Sequence, residues 1–135
     1  MAHSHSSRRL ASPLARARGL GSAKEGVAHW WAQRITAVAL VPLTLWFVYS
    51  AVMLTGANQA YVYNWLHRPA SAILMSLLII ATFYHVALGV QVVIEDYIHR
   101  EGVKLTTMLL TKGLIALMAA ASLFTVLRVA AGVPT

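Results

Sequence analysis

The sequence predicts an all-α integral membrane fold of three transmembrane helices, preceded by a basic segment. Three observations lead there. Apolar residues fill 59% of the chain and charged residues only 11%, whereas a soluble domain carries roughly 25% charged residues. Three apolar runs, 35–55, 70–94 and 107–131, each reach the roughly 20 residues that a helix needs to cross about 30 Å of hydrocarbon. None of the three carries the charged outer face that a helix of a soluble bundle would require.

Taken in order, the chain begins with a basic segment over residues 1–28, Arg/Ser/Ala-rich as far as Gly26, followed by a membrane domain over 29–135. In the first span Pro42 removes one backbone donor, which membrane helices tolerate when neighbours re-satisfy the backbone. The connection over 56–69 holds Asn58, Tyr61, Tyr63, Trp65 and His67, a polar and aromatic mixture suited to the headgroup layer. The second span leads into a charged connection over 95–106. In the third, Lys112 and Arg128 lie near opposite ends, where their aliphatic stems let the charges reach the interface. No soluble domain fits between the spans.

The net charge of +7 would fit a nucleic-acid partner only if the basic residues formed one face. They instead flank apolar runs, where they report membrane orientation. Arg8, Arg9, Arg16, Arg18, Lys24 and Arg34 precede the first span, and Arg100, Lys104 and Lys112 follow the second. The other side holds only Arg68 and Arg128, so the amino terminus is expected inside. Arg8-Arg9 is not followed by the apolar stretch of a twin-arginine signal. The acid-poor terminus also resembles a mitochondrial transit peptide. A bacterial cytoplasmic membrane is preferred, because the basic stretch runs straight into an interfacial segment. The chain has no cysteine, which excludes disulfides and thiolate metal sites.

Chemistry concentrates in and after the second span. His85 lies about ten residues before its inner end, roughly 14 Å inside the membrane edge. An ionisable side chain at that depth marks function by default, although a neutral imidazole there also serves simply by bonding a neighbouring helix. Neutral imidazole is the usual axial ligand of haem iron, and Gly89, one turn away, removes bulk where a flat porphyrin would approach.

Asp96 follows His85 by eleven residues, which returns it to within about 20° of the same helical face. Tyr97 comes next, at the interface. The pair reads either as a helix end in the aromatic belt or as a quinone site, with the phenol donating to a carbonyl and the carboxylate orienting it.

The run Phe83-Tyr84-His85-Val86-Ala87-Leu88-Gly89, followed by Asp96-Tyr97 at the end of the second of three spans, resembles the smaller hydrophobic membrane anchor subunit of succinate dehydrogenase. The segments Gly19-Leu20-Gly21-Ser22-Ala23-Lys24-Glu25-Gly26 and His29-Trp30-Trp31-Ala32-Gln33-Arg34-Ile35-Thr36-Ala37 resemble the entry to that family's first helix, especially in bacterial forms. The resemblance implies that His85 is one axial ligand of a b-type haem, with the second ligand supplied by the other membrane anchor. It implies that Tyr97 bonds ubiquinone with support from Asp96, and that Arg34 lies near the haem propionates. It further implies a complex with a flavoprotein, an iron-sulfur protein and a second anchor, in which electrons pass from succinate to quinone. The chain alone would not oxidise succinate.

The remaining histidines carry less. His29 with Trp30 and Trp31 reads as a headgroup anchor, His3, His5 and His99 form no metal pattern, and His67 reads as a loop residue. A small transporter or channel subunit remains an alternative, and would show polar stripes on more than one span. A structural assembly factor is another, and would need no buried histidine.

Overall fold

The computed structural model describes residues 23–132. The basic stretch with Arg8, Arg9, Arg16 and Arg18, its two targeting readings, His3, His5 and Gly19-Leu20-Gly21-Ser22 lie outside them. The described elements are all helical: α1 (Ala23–Met53), α2 (Gln59–His67), α3 (Pro69–Tyr97) and α4 (Glu101–Ala130). Within them, Gly26–Met53, Pro69–Tyr97 and Glu101–Ala130 are each long and apolar enough to cross a membrane. The chain is a multi-pass membrane protein.

A boundary after Trp31, inside α1, divides the chain into two units. In the first, Trp30 and Trp31 meet edge to face, with ring centroids 5.2 Å apart, and Nε2 of His29 is buried without a hydrogen-bond partner.

The second unit contains the rest. Its core is minimal: among the described residues only Leu88 and Ile94 are buried apolar side chains, while residues such as Val38, Leu110 and Leu117 stand exposed. A soluble protein would not leave so much apolar surface in water. Polar groups in the spans look after themselves. Ser76, Thr106, Ser122 and Thr125 each donate to the carbonyl four residues earlier, so their hydroxyls demand nothing of lipid.

The connections differ from the expected loops. At the start of the first connection the backbone turns at Gly56, where φ is +79°, a conformation that glycine adopts without steric penalty. Asn58 then caps α2 by accepting from the backbone N–H of Tyr61 at 2.9 Å. His67 is thus the last residue of a helix and not a loop residue. Trp65 of α2 stacks on Trp46 of α1, with centroids 5.7 Å apart and planes 19° from parallel. Pro69 opens α3, where its missing N–H costs nothing. Only Ile98, His99 and Arg100 separate α3 from α4, which pack as an antiparallel hairpin.

Candidate functional site

His85 stands seventeen residues into the 29-residue α3, about 18 Å from the helix end at Tyr97. Its ring is half-buried. Nδ1 lies 2.9 Å from the Oγ1 of Thr36 on α1, and Thr36 is itself buried. Nε2 has no hydrogen-bond partner among the described residues. The same ring lines an apolar groove of about 480 Å³ with Ala37, Leu40, Val41, Thr44 and Leu45 of α1. Thr44 is the only other polar residue there.

One turn along α3, Gly89 faces α1 and not that groove. A methyl group at Gly89 would meet Nε2 of Gln33 at 3.6 Å, an ordinary contact. Gly89 therefore sits against the first span, where a methyl group would also fit. Oε1 of Gln33 is buried and lacks a partner, an uncommon and costly condition for an amide oxygen.

The other expected site residues lie further out. Asp96 and Tyr97 occupy the final turn of α3, with Asp96 about 16 Å from His85 along the axis. Tyr97 is 81% exposed. Glu95 is already engaged, its Oε1 accepting from Nε2 of Gln91 at 2.9 Å, which leaves Asp96, one residue before Tyr97, as the other acid of that turn. Arg34 sits on α1, exposed, one turn before Ala37. Positions 34, 37, 41, 44 and 45 follow the spacing of a single helical face, so Arg34 continues the row that lines the groove toward its amino-terminal end.

Thr36 and Gln33 were not singled out from the sequence as site residues. A threonine within an apolar run ordinarily turns back on its own helix, and only the register between α1 and α3 sets this one against an imidazole. That register also revises the first span. Thr36, one residue inside the expected start at 35, lies level with a histidine deep in its own helix, and the apolar helix extends back to Gly26.

Three long apolar helices, with the imidazole of His85 far from either end of its span, define a membrane-embedded subunit. Over residues 8–127 the sequence matches the family described as succinate dehydrogenase/fumarate reductase transmembrane subunit. The chain belongs to that family, and it is a membrane anchor subunit of succinate dehydrogenase, a non-catalytic part of the complex. It is similar to the succinate dehydrogenase hydrophobic membrane anchor subunit of Rickettsia bellii, 41% identical over 85 residues, which are 63% of this chain and 68% of the relative. The protein of that name from Paracoccus denitrificans is 36% identical over 89 residues, 66% of this chain and 69% of its own. That from Rickettsia typhi is 30% identical over 101 residues, 73% of this chain and 79% of its own. No solved structure matches the chain.

Proposed function

We propose that this anchor supplies His85 as one axial ligand to a b-type haem shared with a second membrane anchor, and presents Tyr97 and Asp96 to ubiquinone. The observation that carries the reading is an imidazole with one nitrogen uncommitted, lining an apolar groove deep in the membrane domain. The donor set fits a porphyrin better than a bare ion. A porphyrin brings four nitrogens and asks the protein for axial ligands alone, whereas a bare zinc ion is usually held by four ligands. No cluster of three or more His, Cys, Asp or Glu occurs among the described residues. When bound, the haem supplies a one-electron site in the membrane.

This chain's residues then have separable tasks. His85 holds the iron from one side, while Ala37, Val41 and Leu45 exclude water and leave room for a flat ring. Arg34, on the same face and within one turn of the level of His85, meets a propionate. At the end of α3 the Tyr97 hydroxyl donates to a quinone carbonyl, and Asp96 orients the phenol. The membrane is a bacterial inner membrane, and the flavoprotein and iron-sulfur subunits dock on its cytoplasmic side, an orientation supported by the excess of basic residues before the first span and after the second.

Purification of the complex through a tag on this chain tests the reading. It should bring down a flavoprotein, an iron-sulfur protein and a second anchor, with one b-type haem per complex. A complete complex without haem would refute it.

A further inference from the structure

The geometry points to Thr36 as a positioning residue that fixes the tautomer and orientation of His85 for iron. This inference rests on the reading of His85 as a haem ligand. Oγ1 of Thr36 has three neighbours: the carbonyl oxygens of Ala32 at 2.8 Å and Gln33 at 3.0 Å, and Nδ1 of His85 at 2.9 Å. The hydroxyl has one hydrogen, and carbonyls only accept. If that hydrogen pointed at His85, the hydroxyl oxygen would face two carbonyl oxygens at contact distance with no hydrogen between them. The hydrogen therefore goes to the helix backbone, and Thr36 accepts from His85.

That assignment has a consequence at the other side of the ring. Nδ1 must carry the proton, so in the neutral imidazole Nε2 holds the lone pair. The tautomer that can ligate a metal through Nε2 is thus selected by a neighbouring helix. A ligand histidine commonly donates its second ring N–H to an oxygen, and this bond both orients the ring and makes it a stronger donor. Here the oxygen belongs to a threonine whose own rotamer is held by its helix, so the ring is aligned against a rigid partner. The arrangement also spans two transmembrane helices, and it ties the placement of the ligand to the packing of α1 on α3.

The test compares Thr36→Val, Thr36→Ala and Thr36→Ser in the complete complex. Valine keeps the shape and removes the acceptor, alanine removes it without adding bulk, and serine restores a hydroxyl. With a weaker donor, the ferric state loses stabilisation. The haem midpoint potential should therefore shift positive in both hydroxyl-free variants, and haem should be lost more readily in detergent. Thr36→Ser should return both toward wild type. If haem bands depend on His85 but potential and retention in Thr36→Val and Thr36→Ala equal wild type, the positioning role is overturned while the ligand reading stands. If His85→Leu leaves the bands unaltered, both fall together.

Discussion

His67, at the end of α2, donates from Nδ1 to the carbonyl of Ala130 at 3.1 Å, joining residues 63 positions apart at one end of the bundle. The bond satisfies one of the carbonyls that the last turn of a helix leaves open. The adjoining Gly132 turns the chain at φ +74°, and a methyl group there would come within 3.2 Å of the His67 ring. The interfacial helix is thereby fastened to the end of the third span.

Two substitutions measure that fastening. Because the bond is exposed, His67→Ala should cost about 0.5 kcal/mol, the lower end of the range for a hydrogen bond. Gly132→Ala should cost more, about 1–2 kcal/mol, from left-handed backbone strain and the crowded ring. Thermal inactivation of the complex in detergent would rank them, and the reverse order would show that the His67 contact dominates.

The absence of cysteine permits a clean test of orientation. Ala60 on α2 and His99 between α3 and α4 are both exposed. In intact cells, a membrane-impermeant maleimide should label Ala60→Cys and spare His99→Cys until the membrane is opened. The opposite pattern would invert the topology that the basic residues predict.

Tyr97→Phe keeps the ring and removes the hydroxyl. Loss of a hydrogen bond to the quinone, worth about 0.5–1.5 kcal/mol, weakens affinity up to about tenfold. Quinone reduction should fall relative to reduction of a soluble dye in the same membranes, and Asp96→Leu should act in the same direction. An unchanged ratio for Tyr97→Phe would leave the phenol with an interfacial anchoring role only.

Much of the fold is legible in composition and run length, because a helix that crosses lipid needs about 20 consecutive apolar residues and satisfies its backbone within itself. What escaped lay where charge and polarity imitate loops. Arg34 reads as the start of a span although its long stem lets it sit on a helix that begins earlier. Glu101 reads as part of a polar connection, yet an acid in the first turn favours a helix through its dipole. The nine residues of α2 read as headgroup filler, and the sign of a helix was the Asn58 cap followed by Tyr61 and Trp65 one turn apart. The site divides in a similar way. His85 is conspicuous because an imidazole is expensive in hydrocarbon, whereas Thr36 is one of several hydroxyls and gains its meaning only from the register of α1 against α3.

The most direct test of the account is the reduced-minus-oxidised spectrum of the purified complex carrying His85→Leu, with haem quantified against the amount of each subunit. Loss or displacement of the b-type bands, with all subunits still present, is the predicted result. A complex that retains its full haem content, with bands and midpoint potential equal to wild type, would contradict ligation by His85.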